Sequence, residues 1–479
     1  MAPDESSEDS SFLAHYGNCI AAYEGTGTLT FKDDLEVECR FRAGQLSTGE
    51  VILLCDGMEL DPYGDSACRL YDEWSPRFAA GFHGKTSEGF QVKVDGGFSF
   101  FNYLPNPPID LAEAWAPYLV RELSVQEGTP EGIQQATYGL TNVEIIGTER
   151  IEGRPFSTLM PLSLNAKGGK VEIVVKPVQD RTGVMRELRA FRHMKVTAEA
   201  TAWLSSQEDV ERLDELMDAV CYLLSVARGT RVQWLFRHLH DSSGKIVSTT
   251  HYWRARASFC QLWAIQPRMM YGRATKDFVE TAYPILVSRP DVYKPAINMY
   301  LDAKAEADSL EVRSAKMALA MEALKAAMLK HLHGVNEYII PEQEFDQLLK
   351  DLESTVDSFL ESRGLGNKSR KEIVGQVKAL NRTSFRRLIK HLSTDIGLTM
   401  NAKDLDLFIQ CRNSLVHKGQ FYCVCASDTE RKRCTPKPTG KAEYFFLVNF
   451  LDRIFLKLFG YSGPYMDWSS GYREWRNEV

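Results

Sequence analysis

Two hydrophobic periodicities divide the chain. Between about residues 18 and 180, short segments alternate apolar and polar positions or carry β-branched runs: TGTLTF, LEVECRFRA, EVILLCDG, FQVKVDGGFSFF and KVEIVVKPV, each bounded by turn residues. A period of two with such boundaries predicts half-buried strands. Inside this stretch PIDLAEAWAPYLVREL (108–123) reads as a helix. A further helix is predicted over 205–228, with Ser206 as cap, acidic first turns and Gly229 as stop. A hairpin around the DSSG turn of VQWLFRHLHDSSGKIVSTTHYWRARA follows it. Residues 18–290 are expected to form a mixed α+β region with room for two subdomains, and no internal repeat is visible.

From about residue 291 the period becomes helical. Pro295 fits the first turn of PAINMYLDAKAEAD, and SLEVRSAKMALAMEALKAAMLKHLHG is rich in strong helix formers and stopped by Gly334. Helices are also predicted over EQEFDQLLKDLESTVDSFLESRG, within about 368–393, over NAKDLDLFIQCRNSLVHKG and over EYFFLVNFLDRIFLKLFG. Five or six amphipathic helices with short connections predict an all-α bundle over 291–479. The fold class expected is α+β: a β-rich front followed by a helical bundle.

Composition bounds the function classes. At about 150 residues per domain, 479 residues suggest two or three domains. Fifty-seven basic against 64 acidic residues leave a net charge of −7, which excludes a bulk cationic coat for nucleic acid or anionic membrane. The most apolar run, Tyr444 to Tyr461, is interrupted by Asp452, Arg453 and Lys457, so no membrane span is expected. The opening MAPDESSEDSS has no export signal and reads as a disordered acidic tail over 1–17. Ten sparse cysteines are expected to stay reduced, and a cytoplasmic location follows. No Walker loop, dinucleotide fingerprint or nucleophile elbow is present, and no cofactor is expected.

Candidate chemistry gathers on the segment 402–418. Asn401 is positioned as its N-cap and Gly419 just past its end. At about 100° per residue, Leu405, Phe408, Ile409, Leu415 and Val416 share an arc of roughly 120°, and Arg412 falls in its middle. Asn413 and His417, four apart, share the flank. A guanidinium aimed into a bundle needs an acidic partner or an anion, because an unpaired buried charge is costly.

CRNSLVHKG thus carries Arg412, Asn413, three residues and His417. This resembles the HEPN superfamily signature: an arginine, commonly followed by a polar residue such as asparagine, and a histidine four to six positions after the arginine. The run INMYLDAKAEADSLEVRSAKMALAMEALKAAM is similar to the superfamily's early helices, including its alanine-rich stretch at MALAMEALK. The similarity covers about 291–465. The β-rich front with GTGTLTF before this tail is similar in layout to ApeA-type anti-phage HEPN proteins. The resemblance implies a metal-independent endoribonuclease that cuts cellular RNA, with tRNA the expected target, in abortive-infection defence. It also implies a homodimer through the helical domain, and a front region that senses a phage-derived trigger. Arg412, Asn413 and His417 would be the catalytic set. Glu322, in the helix matching the early alanine-rich one, is a candidate partner that orients or neutralises Arg412; an i,i+3 pair with Lys325 is the alternative. A HEPN-like module that binds a nucleotide or a partner without cleaving is the competing reading, and a purely structural Arg412–Glu322 pair is a third.

Between Arg363 and His391 nine Lys or Arg face one acid, Glu372. Lys378, Arg382, Arg386, Arg387 and Lys390 are the candidate RNA contacts, with a solvated helix face as the alternative. Cys423, Cys425 and Cys434 are candidate zinc ligands, but their spacing departs from the usual knuckle, so reduced loop cysteines are the expectation and no metal is assigned. His238 and His240 would share one side of a strand and are read as half-buried, while His331 and His333 sit at a helix end where positive charge suits the dipole.

Overall fold

The computed structural model describes residues 19–31, 36–56, 79–96, 99–100, 116–129, 132–151, 154–166, 169–204, 209–254, 257, 259–329, 338–364 and 367–474. The tail expected over 1–17, and His331 and His333, lie outside them. The chain is mixed α+β, with a large antiparallel sheet in its first half and helices dominating its second. Two compact units are present: one of Met1–Val287, Lys304–Ala307 and Gly463–Met466, the other of Ser288–Ala303, Asp308–Ser462 and Asp467–Val479.

In the first unit, fifteen strands form one sheet in the order β10-β11-β12-β13-β9-β14-β15-β8-β5-β4-β1-β2-β3-β7-β6. These are β1 (Cys19–Phe31), β2 (Glu36–Leu46), β3 (Val51–Asp56), β4 (Ala79–Thr86), β5 (Gln91–Asp95), β6 (Ser99–Phe100), β7 (Ala116–Leu119), β8 (Glu122–Gln126), β9 (Gln135–Thr141), β10 (Glu149–Ile151), β11 (Arg154–Ala166), β12 (Gly169–Pro177), β13 (Val196–Trp203), β14 (Trp234–His240) and β15 (Ile246–Tyr252). The alternation seen in the sequence has a direct consequence here. Leu29, Phe31, Phe41, Val51, Leu53, Phe82, Val92, Val94, Leu123 and Val125 point to one side and merge into a single buried cluster. Gly27 of GTGTLTF sits where β1 and β4 close in, since a Cβ there would lie 2.7 Å from the His83 carbonyl oxygen.

The helix expected over 108–123 is not formed where the chain is described: 116–126 is β7 and β8. Buried Leu123 and Val125 alternate with Glu122 and Ser124, and pairing of β8 with β5 and β15 overrides the local helical pattern. Among the described residues, β6 pairs with Tyr118 and Leu119 and β3 with Pro117. The hairpin around DSSG forms as β14 and β15. The helix expected over 205–228 is described as α2 (Asp209–Arg228), its expected cap Ser206 lying outside the described residues, and two further helices, α1 (Arg181–Phe191) and α3 (Arg273–Ser288), belong to the same half of the chain.

The helical half consists of α4 (Pro290–Lys304), α5 (Leu310–Leu329), α6 (Glu342–Ser362), α7 (Asn367–Leu380), α8 (Phe385–Asp395), α9 (Ala402–Lys418), the single turns α10 (Tyr422–Cys425) and α11 (Asp428–Arg431), and α12 (Gly440–Leu458). It is not all-α, because β16 (Tyr465–Asp467) and β17 (Gly471–Arg473) form a two-stranded sheet. The stretch 368–393 is two helices rather than one. Asn381 leaves the ladder to bond the Ile340 backbone, and Ser384 caps α8 by accepting from the Arg387 N–H. The apolar run 444–461 becomes α12, packed against α5 and buried nearly all round, which is why it is hydrophobic on every face. Its Asp452 is tolerated there by accepting from the Tyr300 hydroxyl. No helix among the described residues is long and apolar enough to cross a membrane.

His238 is half-buried on β14, bonding the Thr249 hydroxyl at 2.9 Å, while His251 is fully buried between the Gln45 amide oxygen and the Tyr23 hydroxyl. Burial pushes His238 down to about 4, with the neighbouring His240 adding to it, and His251 down to about 3, with His238 adding to it. Both imidazoles are therefore neutral in the native state at neutral pH. Their stabilisation is complete above the unfolded value of about 6.5 and drains away as pH falls toward 4 and 3, at about 1.4 kcal/mol per group per pH unit. A urea midpoint read from sheet circular dichroism should drop between pH 7.5 and 5.5, and His251→Asn should flatten that drop.

Candidate active site

Helix α9 begins where the sequence places it. The Asn401 side chain accepts from the Lys403 N–H, and Gly419 takes the left-handed conformation (φ 66°) that closes the helix. The buried face is different from the expected arc. Leu405, Leu407, Phe408, Cys411, Ser414 and Leu415 are buried, whereas Val416 is exposed and Ile409 only partly covered. At about 100° per residue, the core-facing stripe is rotated by roughly 70° from the purely apolar one. The reason is that small polar Cys411 and Ser414 face neighbours in α12 and α10. Ser414 Oγ bonds the Gln420 carbonyl and lies 2.6 Å from Cys425 Sγ.

That rotation moves Arg412 from the middle of the buried stripe to its rim. Its side chain is 20% exposed, and its Nη2 meets Glu322 Oε1 of α5 at 2.6 Å, side chain 24% exposed. The other Glu322 oxygen holds Lys325 Nζ at 2.6 Å, so the cross-bundle pair and the i,i+3 pair coexist on one carboxylate. Arg412 Nη1 donates to Asn413 Oδ1 at 2.9 Å and approaches His417 Nε2 to 3.5 Å, the outer limit of a hydrogen bond. A guanidinium can only donate, so that contact requires a lone pair on Nε2 and the ring proton on Nδ1. Asn413 is half-buried and His417 exposed. Arg412, Asn413, His417 and Glu322 are thus brought into one solvent-accessible constellation.

Two contributors had no mark in the sequence. The Phe385 ring, first residue of α8, lies under both cations, 5.4 Å from Arg412 Cζ and 5.2 Å from Lys325 Nζ. It stacks on Phe408, which stacks on Phe450 at 4.1 Å, tying the site to the core. Asp406 of α9 pairs with Arg386 at 2.6 Å. No spacing rule predicts either contact, because each joins elements brought together only by packing.

Among the expected RNA contacts, Arg382, Arg387 and Lys390 are exposed on and just before α8, which packs against α9. Arg386 is exposed but engaged by Asp406. Lys378 belongs to α7, and its side chain lies outside those described.

The cysteines are arranged around a carboxylate. Glu443 of α12 is fully buried, and its two oxygens accept the N–H groups of Tyr422 and Cys423, each at 2.9 Å, closing the start of α10. Burial pushes the Cys423 thiol up to about 11, with the Glu443 charge next, and Cys411 is driven up by the same two causes in the same order. These thiols stay protonated, which opposes thiolate ligation. Cys434 Sγ meets the Tyr422 hydroxyl at 3.6 Å. Among the described residues no group of three or more His, Cys, Asp or Glu converges to hold a metal.

No family model, curated protein or solved structure matches the chain.

Glu443→Ala should leave the buried Tyr422 N–H and the partly buried Cys423 N–H without acceptors, at about 1–3 kcal/mol for the buried one, and lower the urea midpoint accordingly. Glu443→Gln should cost less while lowering the Cys423 pKa, so alkylation of Cys423 by iodoacetamide near pH 8.5 should speed up.

Proposed function

We propose that the chain is a metal-independent endoribonuclease whose chemistry is carried by Arg412, Asn413 and His417. The supporting observation is the Arg412 guanidinium fixed beside an exposed His417 imidazole, 3.5 Å apart on the last turns of one helix. Cleaving RNA through its own 2′-OH requires a base for that hydroxyl, an acid for the departing 5′-oxygen and positive charge on the phosphate. Histidine can serve either proton role near neutral pH. The 2′-oxygen attacks phosphorus as its proton passes to the imidazole. The 5′-oxygen leaves with a proton from an imidazolium, giving a 2′,3′-cyclic phosphate and a 5′-hydroxyl. Arg412 stabilises the charge that builds on the non-bridging oxygens, and Asn413 holds its guanidinium in place.

The Arg-Asn-x3-His form of the motif, Arg412 to His417, occurs once in the chain. Two histidines in one site require a second copy, so a homodimer through the helical region is part of the proposal. The resemblance of Arg412–His417 and the alanine-rich α5 to HEPN nucleases supports this reading. The layout of the chain extends it to anti-phage defence by cutting tRNA or another cellular RNA. The exposed Arg382, Arg387 and Lys390 are the backbone-contacting face.

A non-catalytic module is the second reading. In it Arg412 and Asn413 hold a phosphate without cleaving; the Glu322 carboxylate on Arg412 favours instead the third reading, a purely structural pair.

Purified protein should cut a labelled tRNA pool in EDTA and leave cyclic-phosphate ends, and His417→Ala should reduce the rate by about 10²–10⁴. Equal cutting by both proteins would reject the assignment; if neither cuts, the protein is either gated by its front region or non-catalytic, and the same assay on residues 291–479 separates the two. An all-DNA analogue should be inert, because it lacks the attacking hydroxyl.

A further inference from the structure

We propose that Lys325 is a second phosphate-contacting cation of the Arg412 site, and that Phe385 holds the two cations as a seat for one phosphodiester. The proposal rests on the nucleic-acid reading above, and it deepens that reading by naming the group the site takes.

The charge count comes first. Glu322 is one anion with a different cation on each oxygen, Arg412 at 2.6 Å and Lys325 at 2.6 Å. The trio carries one uncompensated positive charge. An internal phosphodiester carries one negative charge, whereas a terminal phosphate carries nearly two at neutral pH. One internal phosphodiester therefore brings the four groups to neutrality.

Both cations lie over the same aromatic ring, at 5.2 and 5.4 Å. The ring's negative face attracts each of them and draws them to one place despite their mutual repulsion. Because Phe385 stacks on Phe408, and Phe408 on Phe450, the platform is anchored in packed core rather than in a loop. A preorganised pair of charges costs little to reorient when an anion arrives.

Access and donor capacity complete the case. The Lys325 side chain is 23% exposed, enough for its ammonium to reach solvent. Glu322 takes one of its three protons, leaving donors for phosphoryl oxygens. The opposing view is that Lys325 is only the i,i+3 partner of Glu322 on α5, a weak helix-surface pair. On that view, removing its charge strengthens the hold of Glu322 on Arg412 and touches no ligand.

The test is binding by the full-length protein of a short fluorescein-labelled 2′-O-methyl oligoribonucleotide, which cannot be cleaved, followed by anisotropy across a salt series. Lys325→Gln should weaken binding about tenfold at low salt. It should also reduce the slope of log K against log salt by about 0.7, the contribution of one phosphate contact on a single strand. Lys325→Arg should restore both, and Phe385→Leu should weaken binding without changing the slope. An unchanged slope in Lys325→Gln, or no binding by the wild type, overturns the proposal. Cleavage of the tRNA pool in EDTA is measured on the same proteins. If Lys325→Gln loses its phosphate contact while His417→Ala cuts as fast as the wild type, the seat stands and the nuclease reading falls. If His417→Ala abolishes cutting while Lys325→Gln binds and cuts as wild type, the nuclease reading stands and the seat falls.

Discussion

A guanidinium placed at the rim of a helical core must be neutralised without being hidden, and the helical unit is arranged around that requirement. Arg412 reaches across from α9 to Glu322 on α5, and α5 is also the helix that packs on the buried α12. Three helices are therefore registered by one ion pair and the apolar contacts beneath it. A pair with side chains about one-fifth to one-quarter exposed avoids most of the desolvation cost of a fully buried one. It also keeps the cation where an anion from solvent can meet it.

The polar interior beside that pair follows the same logic. Glu443 is buried completely, yet it is satisfied by two backbone N–H groups at the start of α10. Burial, with the Glu443 charge second, keeps the Cys411 and Cys423 thiols protonated. Ser414 and Cys425, in contact with one another, seal the far side of α9. The small side chains on this face let α10 sit close and turn α9 so that Arg412, Asn413 and His417 emerge together at its open edge. Structure beneath the helix thus sets the direction of the chemistry above it.

The first unit solves a separate problem, that of a very wide antiparallel sheet. Alternating side chains from β1 to β8 collapse onto one cluster, and polar groups that fall inside are paired within the sheet. Gln45 is the clearest case: fully buried, it donates to the Leu235 and Tyr252 carbonyls and accepts from His251. The neutral state of His251 and His238 is a product of this burial rather than of any local sequence feature.

Periodicity and punctuation alone settle that the chain changes from strands to helices and where α9 starts and stops. They also place Arg412, Asn413 and His417 on adjoining faces, since 3.6 residues per turn is a property of the helix itself. The ends Asn401 and Gly419 were legible because caps act within one turn of the backbone. What local pattern misplaces is whatever pairing decides. Residues 116–126 became strands through partners in β3, β5 and β15, and 368–393 broke where Asn381 found the backbone at Ile340. The facing of α9 departs from the apolar pattern because Cys411 and Ser414 become core only when α10 and α12 surround them. The Glu322–Arg412 contact, 90 residues apart, was a candidate among alternatives, and the Phe385 platform had no trace at all. Separations of that size carry no periodic signal. Only the packing of whole helices brings such groups within reach of one another.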